Sequence, residues 1–407
     1  MANNFITSDL ISKEAAIHWK NMDTFLATSN RRYSQMWGGN TYDPGDTINI
    51  RLDNQFEVKR GDTVTPSAID ERNLPLTLEP LYSVPVEYTT VELTTDLFQG
   101  WSERVLRPAV RNIVSRINYD IANRGLTQVY HSVGNGASNI NTFAAVEEPG
   151  TIMQELGVPL DERWYFAMTP KDGSALKSSL QNSFNDRLNR DISDRSALGY
   201  LSYFDMYFDQ GINRQAVQNK GAVTFAVTSN VSSGATSISV TGSGAFSVNA
   251  GETFSVTGVQ SVNHINKTDT GRTMDFVVTQ STTSAAAVQV LQVAPAIYGP
   301  ERKPLQNVSA LPAAGDVILF NNRGTGAEPT QYKVNYAYGE NALHVVTPPL
   351  APLDVPESSV FNDGDTGISL RVSKSGEILN NKNIMRLDVL CGYRWIGEQA
   401  VRYHSLV

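Results

Sequence analysis

The sequence predicts an α+β chain of several lobes, and three observations carry that prediction. One apolar stripe of helical period runs from Leu106 to Ile121. Alternating strand patterns dominate residues 40–88 and 368–393. Between them a block from about Ala222 to Val293, rich in Val, Thr, Ser, Gly and Ala, interrupts a stretch of mixed α/β character. At 407 residues the chain is also too long for a single core, so two or three lobes are expected.

Taken in order, residues 7–30 are expected as a helix. Ile11, Ala15, His18, Met22 and Phe25 recur at steps of four and three, and Thr7 or Ser8 can cap the start. Such a helix is either a packed element or an arm that docks on a neighbour. After the turn Tyr42-Asp43-Pro44-Gly45-Asp46, the residues Ile48, Ile50 and Leu52 alternate with polar ones, as do Leu74, Leu76 and Leu78 further on. A long two-stranded excursion fits this segment, with a tip from about Phe56 to Asn73 that carries both charge signs, Glu57, Lys59, Arg60 and Asp62 among them. A lone ribbon is marginal in water unless something covers it, and a neighbouring copy of the chain could.

Residues 101–131 carry the strongest helical signal. Leu106, Val110, Ile113, Ile117 and Ile121 form one stripe, and Pro108 places the start of the straight part close to itself. Arg104, Arg107, Arg111, Arg116 and Arg124 lie largely off the stripe; the series reads as a solvated face, with weak contact to DNA as the alternative. Residues 151–220 read as mixed α/β, with a short helix at Ile152–Leu156, a buried strand at Trp164–Met168, a helix through Leu180 and another strand at Tyr203–Phe208. The β-rich block then reads as a small antiparallel barrel or sandwich, an insertion and not an appendage. Val317–Phe320 and Leu343–Val346 follow it as strands of ordinary composition, and a turn is expected at Ser375-Gly376. Gly-Asp-Thr or Gly-Glu-Thr recurs before strands, at Gly45, Gly61, Gly251 and Gly364, and reads as turn chemistry.

The chemistry is sparse. The net charge of −8 argues against a dedicated nucleic-acid binder but not against a container for DNA. The charged fraction of 18% is low and suits a protein that hides surface against copies of itself. The single cysteine, Cys391, cannot form an internal disulfide and reads as a buried thiol, which suits a reducing cytoplasm. No secretory leader or membrane-spanning run is seen, so folding in the cytoplasm and no membrane partner are expected. No nucleophile elbow, phosphate loop or zinc-protease spacing occurs, and the histidines at 18, 131, 264, 344 and 404 are scattered singly. Asn362-Asp363-Gly364-Asp365 lacks the oxygen pattern of a calcium loop, and Asp186, Asp191 and Asp194 alternate with arginines as an exposed salt-laced segment does. No catalytic residue, cofactor or metal site is expected, and the protein is expected not to be an enzyme.

The order of elements then carries a resemblance. Leu74 to Leu93, followed by Thr94-Thr95-Asp96-Leu97 and the helix from Trp101, resembles the passage from extended loop to spine helix in tailed-bacteriophage major capsid proteins of the Hong Kong 97 capsid fold. Ala250-Gly251-Glu252-Thr253-Phe254-Ser255-Val256-Thr257-Gly258-Val259 resembles the opening of the domain inserted in the coat-protein family of short-tailed Salmonella phages, and Tyr338 to Pro349 resembles that family's return to its axial domain. The resemblance implies an N-terminal arm helix (1–39), an extended loop with adjoining strands (40–93) and a peripheral domain with spine helix (94–150). It further implies an axial domain (151–221), an inserted antiparallel β-barrel (222–335), the axial return (336–367) and a peripheral C-terminal β-segment (368–407). It implies hexamers and pentamers in an icosahedral shell around double-stranded DNA, located in the virion, with a scaffolding protein, a portal and a possible decoration protein as partners. No Lys–Asn cross-link between subunits is expected. The loop tip, Glu57, Lys59, Arg60 and Asp62, is the expected contact to an adjacent subunit. A tail or fibre protein is the alternative that the Val/Thr/Ser/Gly block suggests; a polymer-degrading hydrolase would need a carboxylate pair or a nucleophile with its base.

Overall fold

A computed structural model describes residues 8–20, 24–36, 47–56, 58, 61–62, 69–89, 101–180, 199–212, 214–218, 220, 223–283, 287–321, 331–362, 368–377 and 382–407. The chain forms two compact units.

The first unit is built from residues 1–50, 74–121 and 343–394. Its sheet runs Glu357–Asn362, Ser369–Glu377, Lys382–Val389, Tyr82–Thr89, antiparallel throughout. Pro85 lies in the last of these, an edge strand, where a missing N–H costs no ladder bond. Helix Ser8–Lys20 covers two of the strands and buries Ile11, Ala15 and Trp19. The helix stops well short of the expected residue 30. Residues 24–29 form turns in which Thr28 Oγ1 donates to Thr24 O (3.2 Å) and Ser29 Oγ to Leu26 O (2.9 Å), side-chain bonds that compete with helix. The chain leaves the turn to pair Asn30 with strand Leu343–Val346, through Asn30 N to Leu343 O (2.8 Å) and Val345 N to Asn30 O (3.1 Å). No turn occurs at Ser375-Gly376, because the strand continues to Glu377 and pairs Gly376 with Asn383. Under this sheet Asp388, fully buried, accepts from Arg371 Nη2 (2.6 Å), Arg386 Nε (2.6 Å) and Ser83 Oγ (2.7 Å). Burial pushes the Cys391 thiol up, as expected of an inert packed sulfur.

The long helix has two parts. Ser102–Leu106 is a wide π turn, with Arg107 N–H reaching Ser102 O, and a regular α-helix follows over Arg107–Gln128. Pro108 explains the change, since it lacks the N–H that the residue four back would accept. Leu106, Val110, Ile113, Ile117 and Ile121 are all buried, while Arg104, Arg107, Arg111, Arg116 and Arg124 are all exposed.

The second unit comprises residues 51–73, 122–342 and 395–407. A seven-stranded mixed sheet runs His131–Val133, Ala400–Ser405, Gln331–Gly339, Trp164–Met168, Phe204–Phe208, Tyr200–Leu201, with Arg214–Ala216 paired to the end of Gln331–Gly339. Helices Phe143–Leu156 and Pro170–Leu180 contribute Ile152, Met153, Leu156, Leu176 and Leu180 to its core, against Phe166, Met168 and Phe204. The first of these helices is longer than the sequence suggested: Thr142 caps it, accepting from Ala145 N (3.2 Å), and Pro149 falls inside it.

Between Arg214–Ala216 and Gln331–Gly339 the chain makes a closed six-stranded antiparallel barrel. Its order is Ala235–Gly242, Val288–Ile297, Asp269–Val278, Thr253–Val262, Val317–Phe320, Phe225–Val227. Val317–Phe320, read from sequence as following the β-rich block, is the strand that closes the barrel. Phe225, Phe254, Phe276 and Phe320 pack its interior with ring centroids 5.1–5.7 Å apart where they touch. The strands flanking the barrel pair with each other, so it enters and leaves the sheet at one place.

Candidate functional site

The polar groups that stand out are those that fix one lobe on another and those at the root of the extended loop. Among the described residues no three metal-ligating side chains gather, and His131, His344 and His404 are buried one by one. Burial lowers the pKa of each, that of His344 to about 4.

The barrel is mounted on the sheet by buried polar groups. Edge strand His131–Val133 meets the barrel at Ser132, whose N–H donates to Asp275 Oδ2 (3.0 Å) and whose Oγ lies 3.2 Å from Thr253 Oγ1. Asn321 Nδ2 donates both to Ser132 Oγ (2.9 Å) and to Asp275 Oδ1 (2.8 Å), and Arg272 Nη2 donates to Ser132 O (2.8 Å). Burial pushes the Asp275 carboxyl above its ordinary value, against the pull of Arg272 and the bonds it accepts. From the sheet side, Arg402 is fully buried and its Nη1 donates to Leu126 O (2.9 Å) and Gly251 O (3.0 Å). Gly251 has a φ of +90°, and a Cβ there would lie 2.6 Å from Gln215 Oε1, so only glycine allows this approach.

The next residue, Glu252, holds the barrel's entry. Its Oε1 accepts from Asn249 N (2.9 Å) and Gln218 N (3.0 Å), and its Oε2 pairs with Lys220 Nζ; both side chains are almost wholly buried. Lys220 also lies 4.5 Å from the centre of the Phe320 ring. The turn reading of Gly251-Glu252-Thr253 captures the bond to Asn249 and misses the buried ion pair. Lys220 is 32 residues away in sequence, and only the fold brings it near.

The root of the extended loop is a second gathering of charge. Strands Thr47–Arg51 and Asn73–Thr77 pair, and Leu52 N donates to Arg72 O (2.9 Å). Arg72 forms an ion pair with Glu398, on the short helical turn Gly397–Gln399, and Lys267 donates to Gln55 Oε1 and to Gln306 O (3.3 Å). Lys267 belongs to the turn between barrel strands Thr253–Val262 and Asp269–Val278. That turn is tied to the helix end by Asn263 Nδ2 to Glu155 O (2.7 Å) and His264 N to Leu156 O (2.9 Å). Leu52, Phe56, Val158 and Ile265 line the open cleft between these groups. Burial lowers the Lys267 amine to about 8, and it lowers His264 too. Burial alone would raise the Glu398 carboxyl, but the charges of His264, Arg72 and Lys267 outweigh it and hold it below the ordinary carboxylate value.

Of the tip residues expected to meet a neighbour, Asp62 is exposed; Glu57, Lys59 and Arg60 lie outside the described residues, as do the Asp186–Arg195 segment and Asp363–Gly367. Charge drew attention to the tip, but its apolar groups are as notable: Phe56, Val58 and Ile69 are 62%, 86% and 64% exposed. Their alternation with polar neighbours is visible in the sequence, whereas their exposure is not.

Residues 210–401 match the family described as P22 coat protein, gene protein 5. No curated protein sequence is similar to this one. Solved structures similar to it include one of Mycobacterium phage Che8 (9% identity, 94% of this chain and 91% of that chain covered, TM-score 0.47). Another is the capsid of Ralstonia phage GP4 (8% identity, 94% and 88% covered, TM-score 0.47). The CUS-3 coat protein I-domain is covered over 100% of its length by 26% of this chain, at 21% identity and a TM-score of 0.20. The matched family segment, rather less than half of the chain, contains the whole barrel together with the sheet strands on both sides of it.

Proposed function

We propose that this chain is the major capsid protein of a tailed bacteriophage and builds its shell from hexamers and pentamers around double-stranded DNA, assembling in the bacterial cytoplasm with a scaffolding protein and a portal. The observation that carries the reading is the closed barrel within the matched segment, seated on the sheet by buried polar bonds. The domain division proposed is the one the resemblance implies, with the barrel as an insertion in the axial domain. A mounted barrel gives each subunit an invariant body, and weak contacts repeated by symmetry close the shell. A decoration protein, where one binds, would meet the barrel's Ser/Thr-rich loops. The protein acts structurally and needs no cofactor.

The loop tip is proposed to reach an adjacent subunit. Glu57, Lys59, Arg60 and Asp62 would make its charged contacts, and the exposed Phe56 and Val58 supply apolar surface for a neighbour to cover. Expression with and without a co-expressed scaffolding protein, followed by negative-stain microscopy, tests both levels. Closed shells, or hexamers and pentamers, are expected; a persistent monomer in every condition would refute the assembly reading. The double reversal Glu57→Lys with Lys59→Glu should cut shell yield while the monomer's melting curve stays unchanged, and normal shells would remove the tip from the contact.

A further inference from the structure

The long helix presents a charge pattern that its own fold does not explain. Arg104, Arg107, Arg111 and Arg116 are exposed on its first turns, and no Asp or Glu occurs between Glu103 and Asp120. Arg116 is partly engaged, donating to Asp120 (3.1 Å) and lying over the Tyr119 ring at 5.3 Å. Arg107 and Arg111 make no ion pair with any described residue.

Two elementary effects oppose this arrangement in an isolated helix. Like charges four residues apart repel. Cations near a helix N-terminus meet the positive end of the macrodipole, where an anion would be stabilised. The chain as a whole is acidic, at −8, so acidic residues that could have alternated along this face are concentrated elsewhere. Two guanidinium groups one turn apart, Arg107 and Arg111, about 6 Å from each other along the axis and without an ion pair, are unfavourable alone and favourable against a polyanion.

We infer that the arginine face of the long helix, centred on Arg107 and Arg111, is the surface by which the subunit touches the phosphate backbone of duplex DNA held in the shell. The inference rests on the capsid reading above and adds the place of contact. Guanidinium groups on a rigid helix bind phosphate oxygens in pairs and carry no base readout, which suits a surface that must accept any sequence. Two such groups per subunit give a weak contact to each copy, so the DNA is lined without being gripped.

The test compares two charge-matched variants of the full chain, Arg107→Gln with Arg111→Gln, and Arg302→Gln with Lys303→Gln on the exposed turn Pro300–Leu305 of the barrel lobe. Binding of a short labelled DNA duplex is followed by fluorescence anisotropy across a salt series. The helix pair should lower the slope of log K against log salt by about two, and the barrel pair should leave it unchanged. Equal effects from both pairs would mean that net charge alone matters and would overturn the proposal, as would an absence of duplex binding by the unaltered chain. A helix variant that keeps duplex binding but forms no shells would reassign the face to a subunit contact. Shell formation by the unaltered chain is scored in parallel, so failure of the capsid reading is seen separately from failure of this one. Melting curves of both variants establish that they fold.

Discussion

The barrel mount and the loop root are made of the same chemistry and behave differently because water reaches one of them. At the mount, Lys220 and Glu252 are 3% and 1% exposed, and the carboxylate's two backbone donors complete its shell. At the root, Arg72 and Glu398 are 16% and 23% exposed beside an open cleft, and Lys267 adds a second cation, its amine lowered by burial to about 8. A buried pair cannot be broken without stranding a charge in a dry place, so the mount has one state. A partly exposed pair exchanges protein partners for water at less cost, so the root can open while the body stays folded. A subunit of the proposed shell needs both: an invariant body, and a loop that adapts to its neighbours.

The largest effect should come from the mount. Lys220→Met leaves Glu252 buried without its cation, and unfolding in urea should show a loss of about 3–5 kcal/mol. A loss of less than about 1 kcal/mol would mean that water reaches the pair and that the contrast with the root is false. Ser132→Ala removes a hydroxyl shared by Thr253 and Asn321 at the same seat, and about 1–3 kcal/mol is expected from the polar groups left unpaired.

The root should respond less. Arg72→Met should cost about 1 kcal/mol or less in global stability, yet speed amide hydrogen exchange across residues 52–72, the segment it anchors. Uniform exchange in the two proteins would show that the ion pair does not hold the loop. The smallest effect is a slope. The Lys267 amine is lowered from 10.5 to about 8 in the fold, so between those values the unfolded chain binds the extra proton and stability rises with pH. Below about pH 8 the contribution is flat. Lys267→Met should therefore flatten the stability curve between about pH 8 and 10, and an unchanged curve would show that the amine is solvated.

Much of this architecture was legible without coordinates. The stripe of Leu106, Val110, Ile113, Ile117 and Ile121 announces its helix because a period of 3.6 is written into residue order, and the barrel's small β-branched strands stand out by composition. The failures are equally particular. Helix Ser8–Lys20 ends early because Asn30 is drawn to Leu343–Val346, a partner more than 300 residues away that local periodicity cannot register. Glu252 read as turn chemistry because its near partner, Asn249, is local while its ion-pair partner is not.

By itself, then, the sequence determined which segments bury which faces and which block is made of short β-branched strands. These follow from patterns of polarity, which act over a few residues. Tertiary structure alone decided that Val317–Phe320 closes the barrel, that Lys220 meets Glu252, that Arg402 reaches Gly251, and that Lys267 joins a barrel turn to the loop root. Each of those is a pairing of hydrogen-bonding or charged groups across long sequence separations. Such a pairing contributes only once burial has excluded the competing water, and what is buried is a property of the whole fold.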